Sequence, residues 1–348
     1  MTRSGSVALE ADNVSKHFEV HGSLGAGSTI RAVENASLQL RRGQIVALVG
    51  ESGSGKTTLA RLLAQFYPVT SGEIRLDGEP AIAKGEFGDR DFYSRVQLIF
   101  QDPFGALNPQ KPVRHALSRA LRLHQPITDK ADLEQRILQL MERVNLTPAD
   151  ELIDAYPHQL SGGQRQRLVI ARALAVDPEV LLADEPISML DVSIRLDILN
   201  LLRRLRDEQD LAMLYITHDI ASARYLSNSI QVMYAGQTVE GGPTESVIQN
   251  PQHPYTRLLL ESSPDPETTL EAGVEDQADL GEPPNLADPP PGCRFHPRCP
   301  VAMDVCKTRF PSRTDFGGDH WTHCWQHQEQ PDTAQPSSPN PPPGGNHR

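Results

Sequence analysis

Residues Gly50-Glu51-Ser52-Gly53-Ser54-Gly55-Lys56-Thr57 fit the pattern G-x-x-x-x-G-K-[ST]. Residues of these types in this order suit nucleotide phosphates. The glycines let backbone N–H groups approach the anion, and a helix starting near Lys56 points its partial positive end at it. Lys56 is then placed to meet the β- and γ-phosphates, the Thr57 hydroxyl to bind Mg²⁺, and Thr58 to extend the binding turn. A second acidic motif, Asp184-Glu185, ends the apolar run Val180-Leu181-Leu182-Ala183. A buried strand that delivers Asp184 to the carboxyl edge of a sheet suits the Mg²⁺ side of such a site. Glu185 then stands where a general base would polarise an attacking water. A third motif, Leu160-Ser161-Gly162-Gly163-Gln164, precedes a helix and forms a second anion cradle from Ser161 and the N–H groups of Gly162 and Gly163.

The elements around these motifs must be strands and helices in alternation. Val7 to Val20 reads as a strand, Gly22 to Ser28 as a Gly/Ser loop, and Ile45 to Val49 as a buried parallel strand bounded by Gly43 and Gly50. A helix is expected from Lys56 to Tyr67, stopped by Pro68. Gly72 to Gly78 reads as a strand closed by an Asp-Gly turn, and Val96 to Phe100 as another strand. From about Asp102 to Leu160 the pattern is helical and predicts a separate lobe; Leu133, Ile137, Leu140, Met141 and Val144 share one helix face and read as core. Met213 to Ile216 is a further buried strand, preceded by a helix marked by Ile198, Leu199, Leu202 and Leu205. Such alternation predicts an α/β fold with a parallel sheet. Glu261 to Pro291 is rich in Pro, Asp and Glu and reads as a solvated linker. A Cys/His-containing module follows from Gly292 to about His327, and residues 328–348 read as a disordered tail.

The phosphate loop together with Leu160-Ser161-Gly162-Gly163-Gln164 resembles the nucleotide-binding subunits of ABC transporters. The resemblance covers about Val7 to Leu260 and implies that family's P-loop fold, with an N-terminal antiparallel β part, a helical lobe over about 102–160 and a small C-terminal extension. It implies roles for further residues. Gln101 matches the glutamine that touches Mg²⁺ and water and links the site to the helical lobe. Ser188-Met189-Leu190-Asp191 matches the D-loop, with Met189 departing from the usual alanine. His218 matches the switch histidine on the γ-phosphate, and Phe18 the aromatic that stacks on adenine. In this family ATP is sandwiched between two subunits, so Ser161, Gly162, Gly163 and Gln164 would complete a partner's site in trans. Gln101-Asp102-Pro103-Phe104-Gly105-Ala106-Leu107-Asn108-Pro109 and His253-Pro254-Tyr255-Thr256 narrow the resemblance to dipeptide/oligopeptide importer ATPases. The insertion at Gly22 to Ser28 points to the second, F-type, ATPase of such importers. Related importers carry oligosaccharides or nickel, and no ATPase residue touches the cargo.

Cys293, Cys299, Cys306 and Cys324 are separated by five, six and seventeen residues. Four thiolates suit an iron–sulfur cluster or Zn²⁺, but the tight knuckles of most zinc modules are absent. The spacing resembles that of the importer subfamily's C-terminal domain, which in some members holds a 4Fe–4S cluster. Three alternatives stay open: iron–sulfur, zinc, or reduced thiols without a ligand. His296, His320 and His323 are further candidate ligands.

With 33 Lys and Arg against 45 Asp and Glu, the net charge of −12 argues against a nucleic-acid partner. No apolar run approaches the roughly 18 residues that span a bilayer, and no apolar signal core follows Met1. The chain is therefore expected to be cytosolic by default, with any membrane contact through a membrane-embedded partner; the resemblance implies peripheral attachment at the cytoplasmic face of the plasma (inner) membrane. The resemblance implies as partners a second homologous ATPase subunit (a related one or a copy), two transmembrane permease subunits and, indirectly, an extracytoplasmic solute-binding protein. The rival classes are a soluble ABC protein acting outside transport and a purely regulatory nucleotide-binding module. Intact Glu185 and His218 oppose the second.

Overall fold

The computed structural model describes residues 5–21, 27–81, 90–124, 127–262 and 282–328. The chain begins with β1 (Val7–His21), β2 (Gly27–Arg41), β3 (Ile45–Val49), α1 (Lys56–Leu63), β4 (Ser71–Leu76), β5 (Glu79–Pro80), α2 (Arg90–Arg95) and β6 (Val96–Ile99). A helical stretch follows: α3 (Val113–His124), α4 (Lys130–Arg143), α5 (Ala149–Leu152) and α6 (Gly162–Leu174). Then come β7 (Val180–Asp184), α7 (Val192–Gln209), β8 (Ala212–Thr217), α8 (Ile220–Leu226), β9 (Ser229–Tyr234), β10 (Gln237–Pro243), α9 (Thr244–Gln249) and α10 (Pro254–Glu261). A short hairpin, β11 (Thr314–Gly317) and β12 (His320–Thr322), closes the described chain.

Two sheets organise these elements. The larger has the order β11-β12-β10-β9-β3-β8-β7-β6, and the smaller, antiparallel one has the order β2-β1-β4-β5. Strands β9, β3, β8, β7 and β6 run parallel, so the loops after β3, β6, β7 and β8 all leave the same edge. Side-chain alternation makes the large sheet a wall between two cores. Val46 and Leu48 of β3, Val180 and Leu182 of β7, and Leu214 and Ile216 of β8 face the core under the small sheet. Ile45, Ala47 and Val49, with Leu181, Met213 and Tyr215, face the core shared with the helical region. Burial on both faces is why these strands are unbroken apolar runs in the sequence. Leu133, Ile137, Leu140, Met141 and Val144 all join the second core, as their spacing predicts.

Several elements differ from the sequence reading. Helix α1 ends at Leu63 rather than Tyr67. Gln65 takes a left-handed backbone (φ 56°), its N–H bonds to the Leu62 carbonyl, and the Phe66 N–H bonds to the Arg61 carbonyl. That pair of bonds closes a helix before Pro68 has any bearing. Gly27 and Ser28 belong to β2 instead of a loop; residues 22–26, the linker segment 263–281 and the tail from 329 lie outside the described residues. Glu261 is the last residue of α10, not the first of a linker.

The Cys-containing segment does not hang from the ATPase-like body. Its hairpin extends the large sheet, with β12 pairing β10 at Glu240–Thr322 and Gly241–Trp321. Cys293, Phe295, Cys306 and Trp325 belong to the same core as Ile45 and Tyr215. Phe295 is 1 % exposed and packs against Tyr234, Tyr255 and His253. Phe295→Ala is therefore expected to destabilise the whole chain by about 3–5 kcal/mol. Urea unfolding followed by fluorescence should show one transition at a lower midpoint, and two resolved transitions in the wild type would contradict a shared core.

Candidate functional site

The sequence motifs converge on the edge where the parallel strands end. The loop after β3 is the glycine-rich turn, and α1 starts at Lys56 with Gly55 as its N-cap. Gly55 is left-handed (φ 101°), and a Cβ there would stand 2.4 Å from the Ala32 carbonyl oxygen; a Cβ on Gly50 would stand 2.1 Å from that of Met233. Only glycine fits either position. Lys56 is buried and folds back over the turn, with Nζ donating to the carbonyls of Gly50 and Glu51 at 2.7 Å each and to Ser54 Oγ at 3.3 Å. Burial pulls its ammonium below the usual lysine range, opposed by Glu185, Asp184 and Glu51. Ser52 and Gly53 are exposed at the turn's tip, and Thr58 is half-buried in α1.

The other strand ends supply the acid and amide groups. Thr57 Oγ1 donates to Asp184 Oδ1 at 3.1 Å. Burial raises the Asp184 carboxyl above its ordinary range, with the Thr57 bond acting the other way. Glu185 has φ 45°, a left-handed backbone on a residue with a side chain, which costs of order 1–3 kcal/mol. Its N–H bonds to the Ile216 carbonyl at 3.0 Å, and Ser188 donates to its carbonyl through both N–H and Oγ. That backbone turns the Glu185 carboxylate between two partners. Gln101 Nε2 donates to Oε2 at 2.8 Å, and His218 Nδ1 lies 3.4 Å from Oε1. Thus Gln101, Glu185 and His218, from three strand ends, form one chain of contacts beside the Thr57–Asp184 pair.

The remaining predicted residues lie around this group. Phe18, in β1, is half-buried with its ring edge-on to Tyr67 at 5.2 Å and the Lys16 ammonium 5.1 Å from its centroid. Ser161 caps α6: its hydroxyl accepts from the Gln164 N–H at 3.2 Å, and the Gln164 side chain accepts from the Ser161 N–H at 2.9 Å. Gly163 packs so closely on α7 that a Cβ would stand 2.7 Å from Ile194 Cγ2.

The four cysteines line one small apolar cavity together with His296, Phe295, Met303 and Trp325. Burial pushes the Cys293 thiol up to about 12 and the Cys324 thiol up to about 11, and the neighbouring thiols add to both shifts. Among the described residues, no three His, Cys, Asp or Glu side chains converge on one ion position. Of the three candidate histidines only His296 lines the cavity. His320 instead bonds Glu240 at 2.8 Å, and His323 faces the Pro311 carbonyl.

Two functional contacts escape sequence reasoning. Tyr255 Oη accepts the Glu51 N–H at 2.9 Å, and Arg298 Nη1 lies 3.1–3.2 Å from both Glu51 carboxylate oxygens. His253-Pro254-Tyr255 is the start of α10, as read from sequence: His253 Nδ1 accepts the Tyr255 N–H, and Pro254 takes the first helical position. Burial holds the His253 imidazole neutral, down to about 3. The signal for Tyr255 was present in that motif, but its reach to the phosphate loop was not. Arg298 carried no signal.

The chain is similar to known proteins over most of its length. The ABC transporter family matches residues 33–188, and the C-terminal region of oligopeptide/dipeptide transporters matches residues 239–306. A Brucella ovis protein named for peptide import and ATP binding is 39% identical over 316 residues, covering 91% of this chain and 96% of its own. A Brucella abortus protein named likewise is 42% identical over 301 residues, covering 86% and 88%. Among solved structures, an ATP-binding cassette determined as a dimer in a post-hydrolysis state with ADP and Pi superposes with a TM-score of 0.59 at 27% identity, over 68% of this chain and 98% of that one. A Clostridium perfringens protein, CbiO1, shares the fold with a TM-score of 0.60 at 24% identity, over 70% and 91%.

Gly55→Ala should distort the turn against the Ala32 carbonyl. A fluorescent ATP analogue should bind at least about tenfold more weakly, a loss of about 1.4 kcal/mol, and unchanged affinity would contradict the fit described.

Proposed function

The chain belongs to the ABC transporter ATP-binding family, and on that premise we propose a role for each group at the strand edge. The protein is the ATP-binding subunit of a peptide importer and hydrolyses ATP to drive uptake through separate membrane subunits. The observation that carries the residue assignments is Glu185, turned by its left-handed backbone to sit between Gln101 and His218. Gly50 to Thr57 hold the triphosphate, with Thr58 beside them and Phe18 against the adenine. On this reading Lys56 leaves the Gly50 and Glu51 carbonyls for the β- and γ-phosphates. The Thr57 hydroxyl and Asp184 carboxylate already share one polar corner, an oxygen donor set that suits Mg²⁺. Mg²⁺, when bound with ATP, neutralises charge on the β- and γ-phosphates.

Glu185 takes the proton of the attacking water, Gln101 orients the carboxylate, and His218 meets the γ-phosphate. A second subunit closes the site. Ser161, Gly162, Gly163 and Gln164 serve the ATP held by that partner, so closure requires two such chains. The preferred partner is a related ATPase rather than a copy, with two permease subunits and an extracytoplasmic solute-binding protein completing the importer. Among the described residues no helix is long and apolar enough to cross a membrane, which supports peripheral attachment at the cytoplasmic face through the permeases. A groove of about 360 Å³ lined by Leu107, Asn108, Lys111, His115, Arg119 and Arg172 supports the same reading. It opens beside the loop after Gln101, where a permease segment could pull on the catalytic group.

The four cysteines would hold a 4Fe–4S cluster. Their donor set is all thiol and they line one cavity, which supports this reading. A cluster there would supply structural cross-linking of the C-terminal segment. Protein purified without oxygen should absorb in the visible and contain iron. A colourless, iron-free preparation removes the cluster.

The catalytic assignment has its own test. Glu185→Gln should retain ATP binding and lose turnover by roughly 10²-fold or more, the range expected for a missing general base. Wild-type turnover in that variant would sink the assignment.

A further inference from the structure

The segment between the first two thiols, Cys293-Arg294-Phe295-His296-Pro297-Arg298-Cys299, is also the segment that grips the phosphate loop. Arg298, 12 % exposed at its side chain, bridges the Glu51 carboxylate and Tyr234 Oη at 3.1–3.2 Å. Phe295 packs on Tyr234 and Tyr255, and Tyr255 Oη holds the Glu51 N–H. Arg294, 3 % exposed, ion-pairs Glu34 at 2.9 Å and donates to the carbonyls of Arg31 and Ala235. The next residue after Ala235, Gly236, donates its N–H to the Ser54 carbonyl of the same loop at 2.8 Å. Two points of the phosphate turn, Glu51 and Ser54, are thus tied within one or two residues to the arm that carries Cys293 and Cys299.

We propose that Arg298 and Tyr255 are positioning residues for the phosphate loop, and that through them nucleotide binding and the order of the thiol-bearing arm are coupled. Neither residue touches ATP in this scheme. They fix Glu51, and with it the path of the turn into Gly53. Because coupling of two binding equilibria is reciprocal, nucleotide in the loop must steady the arm as much as the arm steadies the loop. The inference rests on the loop binding ATP and holds for any state of the four thiols.

The test has two readings on the full chain. Affinity for a fluorescent ATP analogue is measured for wild type, Arg298→Ala, Glu51→Gln and the double variant. Each single change should weaken binding about 3- to 10-fold, as expected for a lost charge-assisted contact. The double should be no weaker than the weaker single, and Arg298→Lys should recover part of the loss. Hydrogen–deuterium exchange over 293–299 is then followed with and without a slowly hydrolysed ATP analogue. Nucleotide should slow exchange there in the wild type and not in Arg298→Ala. Single variants with wild-type affinity, losses that multiply in the double, or exchange that ignores nucleotide in the wild type would each overturn the coupling. Lys56→Ala separates the two layers of the argument. If it binds nucleotide as the wild type does, the phosphate-loop reading fails first.

Discussion

The phosphate turn must hold a strained glycine backbone while leaving amide hydrogens for an anion, and the surrounding structure is arranged to meet that constraint. Its carbonyls are bonded by protein donors. Lys56 Nζ takes those of Gly50 and Glu51, Gly236 takes that of Ser54, and the Glu51 N–H goes to Tyr255. Fixing the turn through these carbonyls, through the Glu51 N–H and through the Ser54 N–H, which bonds the Glu51 carbonyl, gives it one path. The groups that do this come from far along the chain. Gly236 follows β9, which pairs β3 in parallel, and Tyr255 opens α10. The turn is therefore only as well formed as the packing of the C-terminal third against it.

This dependence explains the hub at Glu240. Its carboxylate has no exposed surface, yet it accepts from the N–H groups of Gln252 and His253 and meets His320 Nε2. A buried carboxylate is costly unless its lone pairs are filled. Here the filling fixes three elements at once: β10, the entry to α10, and the hairpin strand β12. His253 then caps α10 with Nδ1, which a neutral ring can do and a protonated one cannot. The sequence His-Pro-Tyr is therefore a positioning device, and its tyrosine hydroxyl ends at the loop.

The chemistry was legible in the sequence because each motif is local. Gly50 to Thr57, Asp184-Glu185 and Leu160 to Gln164 each need particular residue types at consecutive positions, and the strands that carry them are long enough to show apolar burial. Gln101 and His218 were singled out by the family resemblance alone; in the structure they meet Glu185 because all three lie just after parallel strands. What stayed hidden depends on residues distant in sequence or on elements too short to show a period. Arg298 reaches Glu51 across 247 positions, and no spacing rule connects them. Strands β11 and β12 contain four and three residues, below what alternation can reveal, so the cysteine segment read as a separate module. The early end of α1 turned on a glutamine in a left-handed conformation, which a glycine or asparagine would have signalled and Gln65 did not.

The two anion cradles also differ in how free they are to act. The first has its lysine engaged with its own carbonyls and its Glu51 and Ser54 amides already bonded. The second has Ser161 in a reciprocal cap with Gln164. That cap uses the Ser161 N–H as donor and its oxygen as acceptor, but leaves the hydroxyl proton to give. A phosphate oxygen arriving from a partner can therefore be met without breaking the cap, and α6 stays anchored to α7 through Gly163 and Ile194. Beside it Met189, Val192 and Leu196 are 56 %, 79 % and 50 % exposed, interleaved with exposed Asp191, Ser193 and Asp197. Met189 stands where the family resemblance places an alanine, so it enlarges this rim without disturbing Leu190, which is buried. On the proposed two-subunit reading, closure covers that rim while the capped serine donates its proton. The cost of ordering the second cradle is then already met within the free chain, whereas the first must still release its lysine.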